Sequence, residues 1–90
     1  AGLAPADARF AYVYGVALND TGKRAEALRV LDTALARSPY DRELLMALVS
    51  YQLAAGNAAA ARRHAALLRE LEPGNPEIER MANELSRAPG

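Results

Sequence analysis

The sequence of 90 residues contains no cysteine, and that absence removes several kinds of chemistry at once. Disulfide bonds, thiolate metal sites, covalent haem attachment and thiol catalysis all require cysteine. The single histidine, His64, has no second histidine with which to hold a metal ion, so we expect a structural side chain that faces solvent or is half buried. No paired carboxylates or phosphate-binding loop stand out. We therefore expect a protein that is not an enzyme, with no catalytic residue, metal or cofactor.

Long apolar runs and an excess of charge are also missing. No apolar stretch approaches the ~18 residues that a membrane-spanning helix needs. Eleven basic residues balance 11 acidic ones, whereas proteins that bind nucleic acid concentrate positive charge to neutralise phosphates. We therefore expect neither a membrane span nor a nucleic-acid partner.

What the sequence does contain is an internal repeat with a period of about 34 residues, a length typical of arrays of helix–turn–helix units. The residues that recur at this spacing are Pro5, Pro39 and Pro73, Gly22 and Gly56, and Ala27 and Ala61. The alanine-rich composition, which is 51% hydrophobic, also favours helices.

Apolar residues between the prolines and glycines recur at i, i+3, i+4 and i+7, which is the pattern of one helix face. They predict helices over residues 8–20, 24–37, 42–55, 58–71 and 76–87. Four residues are expected to cap helix N-termini: Asp7, Asp41, Asn57 and Asn75. Gly15 falls within an apolar stripe, so we expect a neighbouring backbone to approach it closely.

The helical pattern also predicts the core. The residues expected to face inward are Ala11, Tyr14, Gly15, Leu18, Ala27, Leu28, Leu31, Ala34, Leu35, Leu44, Leu45, Leu48, Val49, Tyr51, Ala61, Ala65, Leu68, Leu71, Ile78, Met81, Ala82 and Leu85. The opposite face of the last helix is polar, as the solvent-exposed end of an array requires.

These residues resemble the tetratricopeptide repeat (TPR), whose consensus places W-x2-L-G-x2-Y in helix A, followed by A-x3-F and a closing proline. Counted from Ala8, the first repeat has Ala11, Tyr14, Gly15, Leu18, Ala27, Leu31, Ala34 and Pro39 at the signature positions. The second repeat, counted from Arg42, has Leu45, Leu48, Val49, Gln52, Ala61, Ala65, Leu68 and Pro73. Val49, Gln52 and Ala65 depart from the consensus, and we expect them to weaken the packing of the second repeat.

The resemblance implies an all-α fold, a TPR-type α-α superhelix. This is a right-handed solenoid of antiparallel helix pairs, here with about five helices. The implied divisions are a linker or tail of a preceding repeat at 1–7, repeats at 8–41 and 42–75, a capping helix at 76–87 and a frayed tail at 88–90. Similar segments occur in larger bacterial proteins, so we expect a fragment of one, in the cytoplasm or the periplasm.

The resemblance further implies protein–protein interaction, with a peptide or protein segment bound in the concave groove of the A helices. The expected groove residues are Arg9, Tyr12, Val13, Val16, Asn19, Asp20, Glu43, Met46, Ala47, Ser50, Leu53 and Ala54. Two of them have alternative interpretations, since Tyr12 could be an incidental surface aromatic and Met46 could fill the core. The carboxylate clamp of chaperone-binding members is not expected, because Tyr12 and Val16 occupy two of its positions.

Two further hypotheses remain open. One is a structural, oligomerisation or spacer module of a larger multidomain protein, with the remainder of its own parent chain or another copy as the partner. In that case the apolar side of the first helix (Phe10, Val13, Tyr14 and Ala17) is left partly uncovered and favours a homo-oligomer. The other is a helical-repeat RNA reader, which the balanced charge and the period of the repeat disfavour.

Overall fold

A computed structural model describes residues 5–87, and every regular element in that range is an α-helix. The five helices are α1 (Pro5–Asp20), α2 (Arg24–Arg37), α3 (Arg42–Ala54), α4 (Ala58–Leu71) and α5 (Pro76–Arg87). The predicted bounds of α2, α4 and α5 are confirmed, and α3 ends one residue earlier than predicted. The predictions for residues 1–4 and 88–90 lie outside the described residues.

The predicted start of the first helix was wrong. Helix α1 begins at Pro5, so Asp7 lies in its first turn and is not the N-cap. Proline suits the first position of a helix because the backbone N–H that it lacks has no partner there. The Asp7 carboxylate still favours the helix, since it lies near the positive end of the helix dipole.

The turns within the two helix pairs have the same construction. Gly22 and Gly56, which hold the same position in successive repeats, have φ angles of 82° and 84°, which is the left-handed conformation that ends many helices. The residue after each glycine, Lys23 or Asn57, directly precedes the second helix of its pair. Asn57 accepts a hydrogen bond from the backbone N–H of Ala60 at 3.2 Å, as predicted for an N-cap, whereas Lys23 makes no such bond.

The predicted caps of the other helices are confirmed as well. Asp41 accepts a hydrogen bond from the Leu44 N–H at 3.0 Å, which satisfies a free donor at the start of α3. Asn75 accepts from the Glu77 N–H at 2.9 Å at the start of α5. These local bonds fix where each helix begins.

The helices stack in chain order. Helix α1 packs on α2 and α3, α2 on α3, α3 on α4, and α4 on α5. Their shared core is made of aliphatic side chains, of which the largest fully buried ones are Leu31, Leu44, Leu45, Leu48, Leu68 and Ile78. The arrangement is the solenoid of antiparallel helix pairs that the sequence predicted.

Gly15 is buried where α1 meets α2, but its neighbour is a side chain and not the backbone that we predicted. A Cβ atom at Gly15 would lie 2.7 Å from Cδ2 and 2.8 Å from Cγ of Leu31. Real Cβ atoms essentially never come so close to another heavy atom. The missing side chain therefore makes room for Leu31, which is fully buried.

Two residues that we predicted to face the core are exposed. Tyr14 is 48% exposed and Leu71 is 37% exposed. Both have the helical spacing of core residues, but spacing fixes only the face on which a side chain lies. Whether that face is buried depends on another element to cover it, and no described helix covers Tyr14 or Leu71 fully.

Candidate binding surface

Helices α1 and α3 lie side by side, and this places most of the predicted groove residues on adjacent elements. Arg9 and Glu43 occupy the same position in successive repeats. The Nη1 atom of Arg9 donates to both carboxylate oxygens of Glu43, each at 3.0 Å. This ion pair is largely exposed, so its contribution to stability is small, on the order of 0.5 kcal/mol. Its charges neutralise each other at one end of the surface.

The middle of this surface is apolar. Tyr12 and Met46 are half buried and pack against the core, so each has both a structural contact and an accessible part. Val16 is also half buried, and Leu53, which holds the repeat position of Asn19 further along α3, is 45% exposed. Ser50 lies between Met46 and Leu53 on α3, where it is exposed and has a short side chain. We define the α1–α3 surface as Arg9, Tyr12, Val16, Asn19, Asp20, Glu43, Met46, Ser50, Leu53 and Ala54.

Two predicted groove residues do not belong to this surface in the same way. Ala47 is only 8% exposed and belongs to the core, so it offers almost nothing to a ligand. Val13 holds the same repeat position and is 55% exposed. Among the described helices none precedes α1, so Val13 stays exposed at this end of the stack, and its place in the groove stays a prediction.

The other end of the α1–α3 surface is polar. Asp20 is exposed, and Asn19 is half buried with its Oδ1 atom out of contact with solvent. That oxygen accepts no hydrogen bond within the part of the chain that the structure describes. Burial raises the pKa of the nearby Tyr51 phenol above its usual value, and the Asp20 carboxylate and Tyr12 raise it further. The phenol of Tyr51 therefore stays neutral at physiological pH.

His64 is the half-buried structural histidine that the sequence predicted. Its Nδ1 atom lies 2.7 Å from Oε1 of Gln52, a distance at which Nδ1–H donates to the amide oxygen. Burial lowers the pKa of His64, and the nearby positive charge of Arg63 adds to this. The opposing effects of Asp32 and of the Ala60 backbone are smaller than that of burial. Sequence reasoning missed this pair, because the two residues lie on different helices and neither matches a motif.

The structure also contains a pocket that shares no residue with the predicted groove. It has a volume of about 580 Å³ and lies between α1 and α2, at the end of the stack. Its lining residues are Asp7, Phe10, Ala11, Tyr14, Arg29, Val30, Thr33, Ala34 and Arg37. An accessible Phe10 and Tyr14 were expected only under the hypothesis of an oligomerisation module, since the helical pattern placed Tyr14 in the core; the participation of α2 was not predicted.

Residues 5–87 contain neither a cluster of metal-ligating side chains nor a membrane-spanning helix. Within them, no group of three or more His, Cys, Asp or Glu side chains is arranged to hold a metal ion. Among the five helices, none has both the length and the apolar character that crossing a membrane requires.

Comparison with known families gave one match. A family model described as a tetratricopeptide repeat matches residues 18–85, which cover both glycine turns, α2, α3, α4 and most of α5. No curated protein and no solved structure matched the chain.

Proposed function

The chain belongs to the tetratricopeptide repeat family, and we propose on this basis that it binds a peptide or protein segment along the α1–α3 surface. Repeats of this family generally mediate protein–protein interaction, and the fold is a non-catalytic one. The function of such a protein depends on its exposed residues, because the repeat signature itself describes packing.

One observation carries the proposal: α1 and α3 pack against each other, and each has an accessible apolar side chain at a repeat position expected to face the groove. Val16 of α1 is half buried, and Leu53 of α3 is 45% exposed. Large apolar groups left accessible between polar edges are typical of sites that bind a protein segment. The charges of Arg9 and Glu43 neutralise each other in an ion pair, which leaves Asp20 as the remaining charged side chain of the surface. We therefore infer that the ligand is a segment with apolar anchor residues and few charges.

The unpaired Oδ1 of Asn19 supports the same assignment. A buried polar oxygen without a hydrogen bond costs about 1–3 kcal/mol of stability. The equivalent position of the second repeat holds Leu53, which has no such cost. Asn19 therefore offers a hydrogen-bond acceptor to a bound segment at an end of the surface where the second repeat has an apolar side chain.

The experiment that tests the proposal is selection of binders from a random peptide library displayed on phage. Selected peptides are then titrated into isotope-labelled protein, and backbone amide shifts are followed by NMR. We expect enrichment of peptides with apolar anchors and the largest shifts at residues 12–20 of α1 and 46–54 of α3. Ser50→Arg should weaken binding about tenfold or more, because it places a long charged side chain over an apolar surface.

Tyr40→Arg is the matched control. Tyr40 is 61% exposed in the turn that follows α2, so it accepts the same new side chain without disturbing the core. Circular dichroism should show equal helix content in both variants. If selected peptides bind Ser50→Arg as tightly as the unchanged protein, or shift resonances only on α2 or α4, the α1–α3 surface is not the site.

A further inference from the structure

The pocket between α1 and α2 has an apolar centre that solvent reaches. We call Phe10, Val13, Tyr14, Val30 and Thr33 the N-terminal face. Phe10 is 73% exposed and Tyr14 is 48% exposed, with ring centroids 6.4 Å apart and ring planes tilted by 31°. Two aromatic side chains this accessible on a small protein indicate a surface that another molecule covers.

The repeat itself shows how this kind of face is covered. Leu44 lies one repeat after Phe10, and Ile78 lies one repeat after Leu44; both are 0% exposed. Leu48, which is equivalent to Tyr14, is also 0% exposed. Helix α2 packs on α3 and α4 packs on α5, so each of these later positions has a preceding helix beside it. The N-terminal face is the same surface without such a neighbour among the described helices.

We propose that two copies of this chain pair through the N-terminal face, related by a two-fold axis. Pairing of one end of the stack with the other end is disfavoured. The outward side of α5 carries exposed polar residues, namely Glu77, Arg80, Asn83, Glu84 and Arg87, and these cannot fill an apolar pocket without leaving charges unpaired. A face that cannot bind the opposite end can still bind its own copy, and a two-fold pair is the commonest symmetric arrangement.

Charges at the border of the pocket suit such a pair. Asp7 lies on one side, and Arg29 and Arg37 lie on the other. None of these three takes part in an ion pair with the rest of the chain that the structure describes. A two-fold axis brings the border of one copy against the same border of the other, so the Asp7 carboxylate of each copy can pair with an arginine of its partner.

The size of the face sets the expected strength. Two packed helices of this length expose a face roughly 20 Å by 20 Å. Two copies would then bury on the order of 800 Å² in total, which is below the usual range of specific, stable interfaces. We therefore expect a reversible dimer with a dissociation constant in the micromolar range.

The test is sedimentation equilibrium of the 90-residue chain at concentrations from low to high micromolar. The unchanged chain should convert from monomer to dimer over this range. Phe10→Asp should weaken dimerisation at least about tenfold, because it places a charge in the apolar centre. Tyr40→Asp is the matched control, since Tyr40 is a similarly exposed aromatic residue (61%) outside the face, and it should dimerise as the unchanged chain does. Circular dichroism verifies that helix content is equal in all three.

A second measurement distinguishes a two-fold pair from other associations. Because the chain has no cysteine, Tyr14→Cys introduces a single thiol at the centre of the face. A short bis-maleimide should link two identical Tyr14→Cys chains efficiently, and Tyr40→Cys chains only at the background rate. Tyr14→Cys also shortens a side chain that is half exposed, so it provides a probe of the face should Phe10→Asp fail to fold.

Several outcomes would overturn the proposal. They are a monomer at high micromolar concentration, growth beyond the dimer, a folded Phe10→Asp variant that dimerises normally, and cross-linking at Tyr40→Cys instead of Tyr14→Cys. A strict monomer would leave the face to another segment, either of this polypeptide or of a different one. The proposal does not depend on peptide binding at the α1–α3 surface. Ser50→Arg should weaken peptide binding and leave dimerisation unchanged, so the two proposals can fail separately.

Discussion

The two helix pairs of this protein, α1–α2 and α3–α4, have the same backbone arrangement. At two equivalent positions, however, the large and the small side chain are interchanged between the helices. Where the first pair has Gly15 against Leu31, the second has Val49 and Ala65 at the corresponding sites. Val49 and Ala65 are each only 2% exposed. The large residue has moved from the second helix of the pair to the first, and the small residue has moved the other way.

A second exchange replaces apolar side chains by polar ones. Leu18 and Val30 of the first pair correspond to Gln52 and His64 of the second, which contact each other through a hydrogen bond. Leu18 and Gln52 are almost equally buried, at 7% and 6% exposure. The comparison shows that the fold requires a filled interface between the two helices of a pair, in which a buried polar side chain has a hydrogen-bond partner. It does not require a particular residue at a particular position.

The largest effect is expected from breaking the Gly15–Leu31 contact. Gly15→Val should destabilise the protein by about 1–3 kcal/mol, because the new side chain overlaps Leu31. Leu31→Ala should cost about 2–5 kcal/mol through the cavity that it leaves. The double variant recreates the pair found at Val49 and Ala65, so its cost should be well below the sum of the two. Urea denaturation of the four proteins measures the free energy of unfolding.

If the free-energy costs of Gly15→Val and Leu31→Ala simply add in the double variant, the two positions are not coupled. That result would contradict the interchange of large and small residues between the two helix pairs. The matched control is Leu31→Ala combined with Tyr40→Val, since Tyr40 is exposed and does not belong to the core cluster. The costs of this control pair should add within about 0.5 kcal/mol, because the two sites share no partner.

A smaller effect is expected at the polar pair. His64→Val should cost about 1–3 kcal/mol, because it leaves the buried Gln52 amide without its partner. Gln52→Leu should cost less, since His64 is only half buried and can turn its ring to solvent. The double variant has the residue types of the first pair and should be about as stable as the unchanged protein. A double variant less stable than His64→Val alone would show that the two sites are not equivalent.

A better N-cap residue at the start of α2 should stabilise the protein by up to about 1 kcal/mol. Lys23 and Asn57 have similar backbone angles, with φ −102° at both and ψ 55° and 72°, yet only Asn57 caps its helix. Lys23→Asn should therefore stabilise the protein by about 0.5–1 kcal/mol. Thermal unfolding checks this, with Lys23→Ala as the control for loss of the positive charge at a helix N-terminus. Equal melting temperatures for the two variants would show that Asn forms no cap there.

The smallest effect is a dependence of stability on pH. Burial lowers the pKa of His64 in the folded protein below its value in the unfolded chain. The folded state thus binds this proton less readily, so the contribution of neutral His64 to stability is complete above about pH 6.5. It is lost as the pH falls from there through the folded pKa. The free energy of unfolding should decline over this range, and His64→Val should lack that component while retaining the acid sensitivity of the carboxylates.

Most of the fold could be predicted from the sequence, because its signals are local. Gly56, Asn57 and Pro76 mark the ends of helices through their own conformational preferences, and the bounds of α4 and α5 matched. The start of α1 was missed because Pro5 recurs at the spacing of Pro39 and Pro73, which lie in turns, and was therefore assigned to the tail of a preceding repeat, whereas it begins the helix. Val49 and Ala65 were interpreted as two separate weaknesses, because a position-by-position comparison with a consensus does not detect an exchange.

Burial at the ends of the stack was less predictable. Tyr14 and Leu48 hold the same repeat position, yet one is 48% exposed and the other 0%. Nothing in the residues themselves produces that difference, which comes from the neighbouring helix. The predicted groove residues have a similar limitation. The sequence places Ala47 on the A-helix side facing the groove, but its burial depends on α1.

The order of helix contacts has a consequence for how the protein opens. The backbone of α5 lies beside α4 and beside no other described helix, whereas α3 has α1, α2 and α4 around it. Unfolding of α5 therefore requires the loss of one helix interface, while unfolding of α3 disrupts three. Amide protons of α5 should exchange with solvent through a local opening, at a free energy below that of global unfolding. Each such opening exposes Ile78 and the side of α4 against which it packs, so the stack acquires a second apolar end for as long as α5 is released.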